Sequence, residues 1–203
     1  MGREILSVLS IDERWSAVHA VGRRPPVVAH PKLTAHVVDL LALTALPPID
    51  DVFIALGTTI KHAGSRAAFR RIDFDAVLSV ARAARLAGAT RLAVVSSMGA
   101  NAASRVFYRR IKGEMEDAVA QLGFELTLIA RPSMLSGNRS ALEQAARPAE
   151  RWTLGTMHWL RPLIPIDYAP ITARQVALAM VDGIAAGASG RRVLLSGELQ
   201  RSR

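Results

Sequence analysis

The chain of 203 residues has no cysteine. That absence excludes a disulfide scaffold, a cysteine-ligated zinc or iron–sulfur site and a cysteine nucleophile. Aromatic residues make up 5% of the chain and charged residues 21%, against 50% hydrophobic. A mostly disordered polymer is therefore excluded as well. No run of about 18 apolar residues is free of charge, so no membrane span is expected. The start, Met1-Gly2-Arg3-Glu4-Ile5-Leu6, lacks the long apolar core of a secretory signal. A cytoplasmic globular protein is the resulting expectation. The five histidines, His19, His30, His36, His62 and His158, form no His-x-x-x-His pair, so no metal site is expected.

Lysine is also scarce. Of 26 basic residues only Lys32, Lys61 and Lys112 are lysines, and with 17 acidic residues the net charge is +9. The arginines are spread mostly singly or in pairs, with no block of five or more. That distribution argues against a dedicated nucleic-acid surface. The length fits one domain, residues 1–203, with a core of ordinary size. No internal repeat or linker is visible, and a homodimer is expected only as the general habit of soluble proteins.

What is present is an alternation of helical and strand patterns. Ile5, Leu6 and Leu9 mark a helix over residues 2–10. Ala17 to Val21, Ala35 to Val38 and Val52 to Leu56 read as strands. The last is a continuous apolar run, suited to burial on both faces of a parallel sheet. A helical spacing over residues 67–87 ends at Gly88. A second buried strand, Arg91 to Ser97, leads to a helix that Ser104 is positioned to cap and Gly123 to end. Phe124 to Ile129 and Arg192 to Leu195 are further strands, with a helix from Thr172 to Ala186 between them. Residues 138–170 are loop-rich and fall on the substrate side. Trp152, His158, Trp159 and Arg161 there read either as core packing or as an aromatic lid. Together these elements predict an α/β, Rossmann-like, doubly wound parallel sheet.

Such sheets bind ligands beyond the carboxyl ends of their strands. The segments there are Gly22-Arg23-Arg24, Asp39-Leu40, Leu56-Gly57-Thr58-Thr59, Ser96-Ser97-Met98-Gly99 and Arg131-Pro132-Ser133. Tyr108 and Lys112 stand four apart on a helix and share a face. An ammonium beside a phenol favours the phenolate, which suits proton exchange with a carbinol oxygen during hydride transfer. Ser97 lies upstream at a strand end, so its hydroxyl is placed to face the same site. Arg131 and Arg139 are candidates for an anionic substrate group, with salt bridging as the bland alternative.

Several separated motifs carry a family resemblance. They are Leu56-Gly57-Thr58-Thr59-Ile60-Lys61 with Ala63-Gly64-Ser65, then Ala68-Phe69-Arg70 and Asp73. They continue with Ser96-Ser97-Met98-Gly99-Ala100, Phe107-Tyr108-Arg109-Arg110-Ile111-Lys112-Gly113-Glu114 and Arg131-Pro132-Ser133-Met134-Leu135. In order and spacing they resemble the atypical short-chain dehydrogenase/reductases. Within that group they resemble the TAT-interacting oxidoreductase and its bacterial NAD(P)H-binding, nucleoside-diphosphate-sugar epimerase-like relatives. The resemblance implies that Ser97 and Tyr108 are a catalytic pair and that Lys112 holds the nicotinamide ribose. It also implies an adenine contact for Asp39, for which a surface turn is the rival role. The implied activity is oxidation or reduction of a small carbonyl or alcohol substrate. The alternatives are a non-catalytic NADPH-sensing regulator and a nucleotide-sugar epimerase.

Cofactor choice rests on Arg23 and Arg24. An acidic residue after the second strand favours NAD, whereas arginine there favours the 2′-phosphate of NADP. NADP(H) is therefore expected over NAD(H). The cofactor-facing set is Gly2, Arg23, Arg24, Asp39, Leu56, Gly57, Thr58, Ser96, Lys112, Arg131, Pro132 and Ser133. One part of the pattern is missing. Gly2 resembles the third glycine of the phosphate loop, but the first strand and the first two glycines are absent. The sheet is thus expected to lack its first, central strand, as in an N-terminally shortened chain, and to hold its cofactor weakly. The strands Ala17–Val21 and Val52–Leu56 would then each face a gap.

Overall fold

The structure, a computed structural model, describes residues 1–133, 135–136 and 170–201. The chain opens with helix α1 (Gly2–Ile11), then strands β1 (Val18–Gly22), β2 (Leu33–Val37) and β3 (Asp51–Ile54). Helices α2 (Ile60–Ala63) and α3 (Arg66–Arg70), a π-turn (Arg71–Asp75) and α4 (Ala76–Leu86) follow without a strand. Next come β4 (Arg91–Val95), α5 (Phe107–Ala120), β5 (Leu126–Arg131) and the short β6 (Leu135–Ser136). The end is β7 (Ile171–Thr172), α6 (Ala173–Ala185), β8 (Gly190–Leu195) and α7 (Ser196–Leu199). This is an α/β Rossmann-like fold with a parallel, doubly wound sheet.

The main sheet has the order β3-β4-β5-β8, all pairs parallel. β1 and β2 form a separate parallel pair, with Val18 opposite Leu33 and Gly22 opposite Val37. Among the described residues no strand joins β1 to β3.

Two apolar cores flank the sheet. Ile5, Val8 and Leu9 of α1 join Val176, Met180, Val181 and Ile184 of α6 on one face, over Leu126, Leu128 and Ala130. Val77, Val80, Ala81 and Ala84 of α4 join Met115 and Val119 of α5 on the other, over Ile54, Leu92, Val94 and Ile129. Alternate strand residues feed the two cores, which explains the continuous apolar runs. Among the described residues no helix is long and apolar enough to cross a membrane.

The helix expected over 67–87 is present as an unbroken helical run from α3 through α4, with a π-helical segment at Arg71–Asp75 in which Asp73 is fully buried. One local expectation changes. Ser104 does not cap α5, whose N-cap is Val106 without a side-chain bond. The Ser104 hydroxyl instead accepts from the Val106 N–H at 3.2 Å, ordering the approach to the helix. Thr172, by contrast, caps α6 through a reciprocal box with Gln175. Arg139, Trp152, His158, Trp159 and Arg161, and most of the loop-rich segment, lie outside the described residues.

Candidate active site

The carboxyl ends of β3, β4 and β5 and the first turns of α5 converge on one region. Lys112 is buried, and its Nζ lies 2.7 Å from Asp73 Oδ1. The other carboxylate oxygen, Asp73 Oδ2, accepts from the Thr58 N–H at 2.8 Å. One carboxylate therefore holds the lysine and the turn after β3 together. Gly57 closes over this pair: a Cβ there would sit 3.4 Å from Asp73 Oδ1 and 3.7 Å from Lys112 Nζ.

Tyr108 stands one turn before Lys112, half-buried, with its ring 5.5 Å from that of fully buried Phe69. The loop after Ser97 is docked onto the same helix. Asn101 N–H donates to the Arg109 carbonyl at 3.0 Å. A Cβ on Gly113 would lie 2.1 Å from Ala102 N. Only glycine permits that approach. The Ser97 hydroxyl is enclosed and has no hydrogen-bond partner among the described residues. Buried hydroxyls are normally bonded, and among the described residues the Ser10 hydroxyl is the other buried hydroxyl without a partner.

A second network underlies the first. Glu116, fully buried, accepts from the Ser96 hydroxyl at 2.5 Å and from Arg131 Nε and Nη2 at 3.0 and 2.5 Å. Arg191 Nη2 approaches the same carboxylate at 3.4 Å. Hydrogen bonding to Glu116 raises Arg131 above the ordinary guanidinium range, so it stays charged. Ser96 and Arg131, expected to face a ligand, are thus committed to Glu116. Pro132 accepts from the Met98 N–H at 3.1 Å, and Ser133 N–H donates to the Ser196 hydroxyl at 2.6 Å. Sequence reasoning missed Glu116 and gave Asp73 no role. Lys112 and Glu116 fall four apart on the face that also carries Tyr108, and that spacing was the available signal.

The remaining candidates surround this centre. Gly2 opens α1 and packs against Ala55 at the end of β3, where a Cβ on Gly2 would lie 4.0 Å from the Ala55 Cβ. Met1, the N-cap, makes no side-chain bond. An uncapped helix start at the strand ends suits a pyrophosphate. Arg23 and Arg24 are exposed beyond β1. Asp39 is exposed, and its carboxylate accepts from the Leu41 N–H at 3.0 Å in a local turn. Among the described residues no group of three or more His, Cys, Asp or Glu side chains is placed to hold a metal.

The fold places the chain in the Rossmann-like α/β class. No protein-family model matches the chain. It is 36% identical over 160 residues to the mitochondrial protein fmp52 of Emericella nidulans, covering 74% of this chain and 67% of that one. It is 38% identical over 159 residues to fmp52-1 of Aspergillus terreus, covering 72% and 68%. The chain belongs to the FMP52 family, and the match spans about two thirds of those relatives' length.

Solved structures share the fold. MoeE5 in complex with UDP-glucose and NAD superposes with a TM-score of 0.64 at 20% identity, over 94% of this chain and 71% of that one. The UDP-N-acetylglucosamine 4-epimerase of Methanobrevibacter ruminantium, with UDP-N-acetylmuramic acid, gives 0.68 at 16%, over 96% and 72%. WbmH of Bordetella bronchiseptica, with NAD+, gives 0.62 at 16%, over 96% and 71%.

Two expectations are corrected by these findings. The preference for NADP(H) is overturned, because MoeE5 and WbmH, which share the fold, are captured with NAD. Two exposed arginines in an arginine-rich chain are weak evidence for a 2′-phosphate. The cytoplasmic expectation is also overturned, because the FMP52 relatives are mitochondrial proteins.

Proposed function

We propose that this chain is an NAD(H)-dependent oxidoreductase acting on a small carbonyl or alcohol, with Ser97, Tyr108 and Lys112 as its working residues. The observation that carries the reading is the enclosed, unbonded Ser97 hydroxyl. It sits at the end of β4, on a loop clamped to the helix that bears Tyr108 and Lys112.

The nicotinamide, when bound, supplies or accepts the hydride. Ser97 donates a hydrogen bond to the substrate oxygen, where charge develops in the transition state. Tyr108 delivers the proton to that oxygen in reduction and removes it in oxidation. Lys112 fixes a positive charge on the Tyr108 face and offers donors to the ribose. Asp73 keeps that ammonium in place. Gly2 and the following amides of α1 hold the pyrophosphate, and Gly57 and Thr58 line the approach.

A panel of small aldehydes and ketones with NADH tests the reading. Turnover that Tyr108→Phe abolishes, with NADH affinity retained, supports it. A second reading, epimerisation of a nucleotide sugar by the same three residues, draws support from fold relatives that hold UDP-sugars. UDP-glucose conversion without net NADH consumption would favour it.

A further inference from the structure

Ser97 is bracketed by two attachments to α5, the helix that bears Tyr108 and Lys112. The first lies immediately before it. Ser96 is buried, and its hydroxyl donates to Glu116 Oε1 at 2.5 Å. The second lies further along the loop, where Asn101 N–H donates to the Arg109 carbonyl at 3.0 Å and Ala102 packs on Gly113. Between them the ladder of β4 with β5 continues past the strand ends. Ser96 N–H donates to the Ala130 carbonyl at 2.8 Å and Met98 N–H to the Pro132 carbonyl at 3.1 Å, one on each side of Ser97.

Glu116 suits the first attachment by its place on α5. Tyr108, Lys112 and Glu116 follow at intervals of four and share one face of the helix. The fully buried Glu116 carboxylate gathers the ends of two strands. Besides Ser96 after β4 it takes Arg131, the last residue of β5, through Nε at 3.0 Å and Nη2 at 2.5 Å. A two-pronged contact of this kind fixes the plane of the carboxylate. Oε1 is thereby aimed at the Ser96 hydroxyl. Arg191 of β8 reaches the same group at 3.4 Å and bonds Asp117 at 3.0 Å. Stability alone does not account for such a group, because buried ion pairs are generally no better than apolar side chains of equal volume. What the carboxylate adds is direction, and a fully bonded buried network holds its members rigidly.

Given the reading of Ser97 and Tyr108 as the working pair, on which this rests, we infer that Glu116 is a positioning residue. Acting through Ser96, it fixes the end of β4 against α5 and so sets the place of Ser97 relative to Tyr108. The two members of the pair come from different elements, and the distance between those elements is what the link controls. A small displacement of a reacting group is costly to rate. The same role explains why Ser96 and Arg131 are turned to Glu116 although they stand at the carboxyl ends of β4 and β5.

Ser96→Ala removes the link and leaves the Glu116–Arg131 pair in place. With NADH and the best aldehyde or ketone of the panel, kcat is expected to fall about fivefold or more, with carbonyl KM and NADH affinity within about twofold. In a Ser97→Ala background the same change is expected to lower kcat by less than about 1.5-fold, because no hydroxyl remains to be placed. Glu116→Gln weakens the Arg131 contact that aims the carboxylate, and a fall in kcat of the same kind is expected. If that variant does not fold, the Ser96 variants decide alone. Amide exchange followed by NMR gives an answer without turnover. The Met98 N–H is expected to exchange about tenfold faster in Ser96→Ala, relative to the Val94 N–H deeper in the same strand. An unchanged Met98 rate overturns the inference. So does an equal fall in kcat with and without the Ser97 hydroxyl, which would make the link a general structural tie. A parent protein that turns over no carbonyl would instead overturn the proposed function, and the Met98 rate then decides the placement of the loop by itself.

Discussion

Lys112 Nζ and Asp73 Oδ1 form a buried ion pair at 2.7 Å, with both side chains almost wholly removed from solvent. It ties the helix of Tyr108 to the turn after β3. A buried pair gains little over an apolar replacement, yet breaking it from one side leaves a buried charge. Asp73→Asn is therefore expected to cost about 3–5 kcal/mol. Adding Lys112→Met to Asp73→Asn should recover most of that loss. Urea unfolding of the two single variants and the double variant measures the coupling. Additive losses would show that the two groups act independently.

Gly113 meets the Ala102 amide so closely that any side chain must displace the loop behind Ser97. Gly113→Ala should destabilise by roughly 1–3 kcal/mol, the usual range for overpacking. It should also lower turnover through misplacement of Ser97. Calorimetry gives the first effect, and steady-state kinetics with unchanged Tyr108 and Lys112 gives the second.

Arg131 is committed to Glu116 by two hydrogen bonds. Arg131→Met should therefore act on stability, by about 3–5 kcal/mol, because it strips the main partners from a buried carboxylate. NADH affinity of the folded fraction should stay within about twofold, less than 0.5 kcal/mol. Titration of NADH fluorescence checks this, and a tenfold loss of affinity would place Arg131 against the cofactor instead.

Hydrogen bonds from Arg14 hold the Asp12 carboxyl below the ordinary carboxylate range. A carboxyl depressed in the folded state adds stability that is complete above its unfolded value of about 3.9 and fades as pH falls through the folded value. Asp12→Asn should thus lose stability near neutral pH and converge on the parent protein at the acid end. Arg14 is half exposed, so the difference should shrink in high salt. Unfolding free energies measured from pH 7 down to about pH 2 trace the convergence.

Much of the architecture was legible in the sequence for a simple reason. Val52 to Ile54 and Leu92 to Val94 are apolar without alternation because each face of the sheet has its own core. The buried acids were not. Glu116 sits in Glu-Met-Glu-Asp, which reads as a solvated helix face, and its burial depends on donors from β5 and β8 far along the chain. Asp73 was noticed only as part of a motif. Its inward turn depends on the π-turn and on Lys112, and neither leaves a periodicity to read. Tyr108 and Lys112 were legible as a pair, whereas the docking of the Ser97 loop onto Gly113 is a tertiary contact.

The central claim is that Tyr108 moves a proton during hydride transfer while Lys112 and the α1 terminus hold the cofactor. The most direct measurement compares parent and Tyr108→Phe proteins for NADH oxidation across a carbonyl panel, with NADH affinity measured on the same samples. The account predicts that turnover falls at least a hundredfold, about 2.7 kcal/mol in the barrier, with affinity changed less than about threefold, under 0.7 kcal/mol. Equal turnover by the two proteins, or loss of NADH binding in the variant, would contradict it.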